Sequence, residues 1–486
     1  MSQNTKRWLK FALRWGVAFA GIFYVVSNIS LHNRVLIPDP TTGRPVAVRL
    51  AKPATESDWS FWVHDPFADP SGSVRLVARD DLLVRPDQGQ VTVRLDDGST
   101  ARMDVLALRV TPDWPRDRWP LIVSRPRSLW MRYFNLAPEE GTLKIDPSRV
   151  VGPYQVNVPY PIIDEGLAVM VQQALQNNPT FLWAAVFIFP VVYLITSYRW
   201  YAMLRALEIK ITLVRTFALN MVGAFYNSFM PGSTGGDLLK AYYAAKNTPH
   251  RTRAVMSVIV DRILGLIALI LLGGTMATYQ YFQLPENDPA RRACGQVAVA
   301  SLAIMLITAT SLLVYYTPVL RRYSGLDFII RKLPMQAQVG KAMHTMELYR
   351  RRPLLILWAV LITLPVHATV VLSAMFAGMA FNLPLSPGFY WVVVPVVVLT
   401  GAIPISPQGA GVMEFFAIIL TRRQGCTVSQ AFALTMSIRI VQMLWNLTGG
   451  IFVLRGGYHA PGESEARELD EPSAMRSSDA VSVNSE

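Results

Sequence analysis

Four groups of polar and ionisable residues interrupt otherwise apolar stretches of this chain. Asn220 and Asn227 precede the break Pro231-Gly232-Ser233-Thr234-Gly235-Gly236, and Asp237 and Lys240 follow it one helical turn apart. Asp261 and Arg262 are neighbours in the next apolar stretch. A second break, Pro404-Ile405-Ser406-Pro407-Gln408-Gly409-Ala410-Gly411, runs into Glu414. Arg439, Gln442 and Asn446 recur at helical spacing and make one polar stripe. Helices that begin near Gly236 and Gly411 would present unpaired N–H groups and a positive dipole end, which suits a phosphate. Lys240 and Arg439 would add charge to that anion. Asp237 and Glu414 would hold those cations while the site is empty, or bind an amine-bearing head group. The candidate substrate-binding set is therefore Asn227, Pro231, Gly232, Gly235, Gly236, Asp237, Lys240, Arg262, Pro407, Gln408, Gly409, Gly411, Glu414, Arg439, Gln442 and Asn446. The competing reading is that these groups pair with each other to hold helices together. His367, beside Pro365 in an apolar run, reads as a packing residue rather than a proton relay. No catalytic residue, cofactor or metal is expected.

The elements that must position these residues are membrane spans. Of 486 residues 52% are hydrophobic and 16% charged, against roughly 25% charged in soluble proteins. The deficit is concentrated: no Asp, Glu, Lys or Arg lies between Pro353 and Met413, from Thr180 to Tyr198, from Ile263 to Phe282, or from Ala293 to Leu320. A span needs about 20 mainly apolar residues. The net charge of +13 does not point to nucleic acid, because Lys and Arg cluster in the loops between apolar runs. Arg199, Arg205, Lys210 and Arg215 form one cluster, Lys246, Arg251 and Arg253 another, and Arg321 to Arg352 a third. That is the positive-inside pattern. Cys294 and Cys426 read as buried free thiols, with a disulfide as the alternative.

These signals divide the chain into four parts. Residues 1–29 read as an uncleaved signal-anchor helix, a cleaved signal peptide being the alternative. Residues 30–175 alternate as short strands, at Val74 to Ala78, Val91 to Leu95 and Asp104 to Val110, with a turn at Asp96-Asp97-Gly98. They form a small β-rich extracytoplasmic domain that ends in an amphipathic helix from Ile162 to Gln176. The Asp80-Asp81 and Asp96-Asp97 pairs read as turn chemistry. Residues 176–456 form the transmembrane domain, with an interfacial helix at Leu326, Ile329, Ile330 and Leu333. Residues 457–486 form a disordered cytoplasmic tail. Loop charges place both sides of the first break inside and both sides of the second outside. The fold class is thus an all-α polytopic membrane bundle with two re-entrant broken-helix hairpins in inverted repeats, plus the β-rich domain. Paired interruptions of this kind point to a translocation site, since irregular backbone at depth must line a cavity or be shielded by protein.

Three segments resemble a family. Asn227 to Lys240 is similar to the N-x-x-x-P-G-…-G-[DE]-…-[RK] segment of the lysylphosphatidylglycerol synthase transmembrane region, also called the flippase-like domain family. Ser257-Val-Ile-Val-Asp-Arg262 resembles the S-V-…-R helix that follows, and Ile405 to Glu414 the P-x-S-P-x-G-x-G-x-x-E segment. The resemblance covers about residues 180 to 456. The sequence departs at Asp237, where Glu is frequent, at Lys240, where Arg is frequent, and at Gln408, where a small residue is common. The resemblance implies a lipid-translocating domain with re-entrant helices around a head-group cavity. It does not carry over the aminoacyl transfer of the family's larger members.

The resulting expectation is flippase-like movement of a phospholipid or polyprenyl-phosphate-linked lipid across the cytoplasmic membrane, both termini cytoplasmic. A transporter is expected rather than an enzyme, and no P-loop occurs to drive it with ATP. The partners would be anionic phospholipid or polyprenyl phosphate, with no nucleic acid. An extracytoplasmic protein could join through residues 30–175. The alternatives are an integral membrane transferase with a lipid-linked donor, or a membrane-anchored accessory protein.

Overall fold

The computed structural model describes residues 31–52, 60–64, 67, 74–78, 81–84, 90–110, 119–124, 143–151, 163–229, 235–246, 248–286, 288–323, 345–402, 409–456 and 458. The expected signal anchor, the interfacial helix around Ile329 and the polar tail lie outside these residues.

The first part of the chain is β-sheet. The described residues include ten strands: β1 (Arg34–Pro38), β2 (Pro45–Arg49), β3 (Ser60–His64), β4 (Val74–Ala78), β5 (Leu83–Val84), β6 (Gln90–Arg94), β7 (Thr100–Arg109), β8 (Leu121–Ser124), β9 (Leu143–Ile145) and β10 (Ile163–Asp164). β1 and β3 alternate as the pleat requires, whereas β8 is buried throughout. Eight form one antiparallel sheet ordered β10-β1-β5-β7-β8-β9, with β2 on β1 and β6 on β7; β3 and β4 form a separate hairpin. The core behind these strands holds Val35, Phe61, Val93, Leu108 and Leu121. Asp97 accepts from the amide and hydroxyl of Ser99 and Asp96 pairs with Arg149, so this acidic pair builds the β6–β7 turn. Asp81 pairs with Arg109; Asp80 lies outside the described residues. The amphipathic helix is corrected at its start, because Ile163–Asp164 pair with Val35 and Arg34 as a strand and the helix begins at Leu167.

From there on the chain is helical: α1 (Leu167–Asn177), α2 (Pro179–Ile188), α3 (Pro190–Ala206), α4 (Leu213–Phe229), α5 (Gly235–Lys246), α6 (Arg251–Gln283), α7 (Pro289–Tyr316), α8 (Pro318–Tyr323), α9 (Pro353–Ala380), α10 (Pro387–Gly401), α11 (Val412–Thr421), α12 (Val428–Thr448) and α13 (Gly450–Gly456). Among the described residues five helices are long and apolar enough to cross a membrane: 179–206, 251–283, 290–316, 353–380 and 428–455. The chain is a multi-pass helical membrane protein. The first of these helices, which is the second span of the sequence reading, after the signal anchor, continues to Ala206, past Arg199, where the sequence reading placed a loop. The helix runs on because Trp200, Met203 and Leu204 are buried against α5 and α6.

Two shorter helix pairs are inserted among these spans. α4 packs on α5, and α10 on α11; α6 touches α5 and α10, while α12 touches α4 and α11. Cys294 and Cys426 are free and buried. His367 Nε2 lies 2.9 Å from the Gly265 carbonyl and so ties α9 to α6.

Candidate functional site

The first polar cluster grows from a glycine contact. A Cβ on Gly236 would collide with the Gly223 carbonyl oxygen and come within 2.9 Å of the Asn227 side chain. Glycine at this position lets α5 cross α4 at backbone contact, and it brings the Gly236 amide within 2.8 Å of Asn227 Oδ1. One turn on, Lys240 Nζ donates to Asn220 Oδ1 at 3.1 Å, sits 3.5 Å from Asp261 Oδ2 and lies 4.0 Å over the Trp200 ring. Asp261 Oδ1 accepts from Arg199 Nε at 2.9 Å, and Arg199 Nη1 donates to Thr363 Oγ1 at 2.5 Å. Asn220 Nδ2 reaches Thr196 and Ser197 hydroxyls at 3.1 and 3.0 Å. Arg199 and Lys240 side chains are 5% exposed and Asp261 9%, so two cations share one buried carboxylate. Beside them Asp237 pairs with Arg262.

The second cluster belongs to α10, α11 and α12. Gly409 and Gly411 hold φ of +70° and +83°, a region that disfavours side chains. The turn they make lets the Glu414 Oε2 atom accept the Gly411 amide at 2.7 Å, which is half of a capping box. Arg439 then forks onto the same carboxylate, Nη1 at 2.7 Å from Oε1 and Nη2 donating to Oε2 at 3.1 Å. Glu414 is 2% exposed and Arg439 12%; charge-assisted contacts of this kind are the strong ones. Among the described residues, Arg439 Nε and Glu414 Oε1 are buried without a hydrogen-bond partner.

A third set connects the first two. Asn446 Oδ1 accepts from Tyr193 at 2.6 Å, and its Nδ2 donates to Ser228 Oγ at 3.0 Å. Tyr193 also reaches the Gln442 carbonyl at 3.4 Å. α12 therefore grips the α10–α11 pair through Arg439 and the α4–α5 pair through Asn446. The Gln442 side chain between them is exposed.

Of the residues singled out from the sequence, the fold brings Asn227, Gly236, Asp237, Lys240 and Arg262 into the first cluster. It brings Gly409, Gly411, Glu414 and Arg439 into the second, and Asn446 between the two. Gly235 opens α5. Pro231, Gly232, Pro407 and Gln408 lie outside the described residues. Three expectations change. Asp261 and Arg262 do not pair with each other: Asp261 takes Arg199 of α3 and Lys240 of α5, and Arg262 takes Asp237 of α5. The Gly236 and Gly411 amides are not free, since Asn227 and Glu414 accept from them. Arg199, read from sequence as a loop charge, is a buried member of the first cluster. The signal that marks it is the apolar pattern Trp200, Met203 and Leu204, which carries the helix past it. Tyr193 and Ser228 were also missed, and nothing local distinguishes them. Among the described residues no three His, Cys, Asp or Glu are placed to hold a metal.

Comparison with protein families matches residues 168–450 to the Lysylphosphatidylglycerol synthase TM region. Comparison with curated proteins returns no match.

Proposed function

The chain belongs to the lysylphosphatidylglycerol synthase TM region family, and from that premise we propose that it moves a phospholipid or polyprenyl-phosphate-linked lipid across the membrane it spans. The polar head travels along α12, between the α4–α5 and α10–α11 pairs, while the acyl or prenyl tails stay in lipid. The observation that carries this reading is the α12 stripe. One helix holds both interrupted pairs through polar contacts at Arg439 and Asn446, about 10 Å apart along its axis at 1.5 Å per residue. Ionisable side chains at such depth are costly and mark pathways.

In this reading both pairs are re-entrant hairpins in inverted repeats, entering from opposite leaflets of the cytoplasmic membrane, with both chain termini cytoplasmic. Their lengths support it: α4, α5, α10 and α11 have 17, 12, 15 and 10 residues. At 1.5 Å per residue they reach roughly 15–25 Å, short of a core of about 30 Å. The surplus cation among Arg199, Lys240 and Asp261 favours a phosphate-bearing head group over a cationic one. Arg439, already matched by Glu414, offers Nε and not a free charge.

The test is lipid scrambling in proteoliposomes carrying a fluorescent phospholipid that is bleached from outside. Arg439→Ala and Glu414→Ala are expected to lose scrambling while eluting as folded protein. Scrambling at the parental rate in both variants overturns the reading.

A further inference from the structure

The β-rich part of the chain carries an apolar face that the sheet does not use. In the β3–β4 hairpin Phe61, Val63 and Val77 point inward and are buried, whereas Trp62, Val74 and Leu76 on the other face are 40%, 43% and 50% exposed. Trp62 and Leu76 are direct cross-strand partners, so the exposed groups form one patch. Lys52 Nζ lies 4.6 Å above the Trp62 ring, and Arg75 is exposed on β4. Lys52 and Arg75 are the described cations of this stretch, and Glu56, Asp58, Asp65 and Asp69 lie outside the described residues.

The register fixes where this patch lies. The Leu31 carbonyl accepts from Ala168 of α1 at 3.3 Å, and Asn33 Oδ1 accepts the Gly166 amide at 2.9 Å. α1 is itself seated on the helical bundle, with Met170 buried in the same core as Phe389 and Cys426. Leu50 donates to the Asn33 carbonyl at 2.9 Å, and Ala51 to the Trp62 carbonyl at 2.7 Å. Trp62 is thus two strand spacings, about 10 Å, from the point where the sheet meets the bundle. An apolar patch at that place, with an aromatic ring under a Lys, has the composition of the membrane interface. Trp sits at head-group level there, and Lys stems lie on apolar surface with the ammonium in water.

We propose that the outer face of the β3–β4 hairpin, Trp62, Leu76 and Val74 with Lys52, is a lipid-contacting surface. It rests in the head-group layer of an anionic membrane beside the bundle. Basic groups near an anionic leaflet are drawn to it, and the apolar side chains anchor the contact.

The experiment places a nitroxide at Leu76→Cys in the full chain reconstituted in vesicles containing phosphatidylglycerol. The parent, whose two cysteines are buried, gives the labelling background. Ser99→Cys, exposed in the β6–β7 turn, gives the water-facing comparison. The Leu76 label is expected to collide with oxygen in preference to a nickel chelate, and the Ser99 label to show the reverse. Adding Lys52→Glu should cut the oxygen preference at Leu76 in phosphatidylglycerol vesicles and leave it unaltered in phosphatidylcholine vesicles. Nickel access at Leu76 equal to that at Ser99 overturns the proposal. Shielding from both reagents also overturns it, in favour of a protein partner or a second copy of the chain. Indifference to Lys52→Glu in both lipids removes the anionic preference.

Discussion

At the scale of single residues, what matters is which polar atoms are already spoken for. Glu414 accepts both the Gly411 amide and the Arg439 fork, so its removal leaves a helix start open and a guanidinium buried without its counter-charge. Glu414→Gln keeps an acceptor for the amide but leaves the Arg439 charge unmatched. It should therefore unfold at lower temperature than the double variant Glu414→Gln/Arg439→Met, which takes both charges away. Thermal unfolding of the two variants in one detergent checks the order. Gly236 is constrained by contact rather than charge. Gly236→Ala drives a methyl into the Gly223 carbonyl, and overpacking of this kind costs about 1–3 kcal/mol, readable as a lowered unfolding midpoint. Outside the membrane, Asp97 is held below its ordinary value of 3.8, first by the Ser99 hydroxyl and then by the Ser99 amide. Its folded value lies under the unfolded one, so its contribution is present above the unfolded value and fades as pH falls through the folded one. The Ser99 amide should exchange faster as pH falls below about 4 relative to the intrinsic rate, and Asp97→Asn should remove that dependence.

At the scale of elements, helix starts depend on side chains from elsewhere in the fold. α5 begins after a break, and its Gly236 amide is taken by Asn227 from the end of α4. Loss of a capping acceptor costs about 1 kcal/mol. Asn227→Ala should speed hydrogen exchange in the first turn of α5, Asn227→Asp should largely restore protection, and mass spectrometry of the peptide covering 235–246 reads both. The long spans were legible because an uncharged apolar run of span length has few other uses, as from Pro353 to Ala380. The strands at Val74 and Val91 were legible from alternation. The capture of the Gly411 amide by Glu414 was also readable, being a short-range Gly-x-x-Glu pattern, although the amide was taken as free. The Arg199–Asp261 pair was not readable. Its members are on α3 and α6, far apart in sequence, and one of them looks like a loop cation until the buried Trp200 and Leu204 beyond it are counted. Ile163 misled for a local reason: the apolar pattern that leads into α1 also serves a two-residue strand against Val35.

At the scale of the whole molecule, the first cluster ties together more of the bundle than any pairwise contact. Arg199 comes from α3, Asn220 from α4, Lys240 from α5, Asp261 from α6 and Thr363 from α9. Among the described residues Asp261 is the carboxylate common to both cations. Breaking a buried pair by removing one partner costs about 3–5 kcal/mol, because the charge left behind is uncompensated. Asp261→Asn should therefore destabilise the bundle by that order. Lys240→Met should cost less, since Arg199 keeps Asp261. Combining Asp261→Asn with Lys240→Met leaves one stranded cation in place of two, so the double variant should be more stable than the sum of the singles by about 1–3 kcal/mol, the size of coupling seen in shared networks. Reversible unfolding of the three variants in mixed micelles measures it. Simple additivity would mean that Lys240 is held by Asn220 and Trp200 alone. α5 could then leave α6 without disturbing Arg199, and the α4–α5 pair would move as a body hinged on α12 through Asn446. Coupling of the expected size would instead bind α3, α5 and α6 into one frame. On the function proposed above, an opening for a lipid head would then occur on the other side, between α12 and the α10–α11 pair.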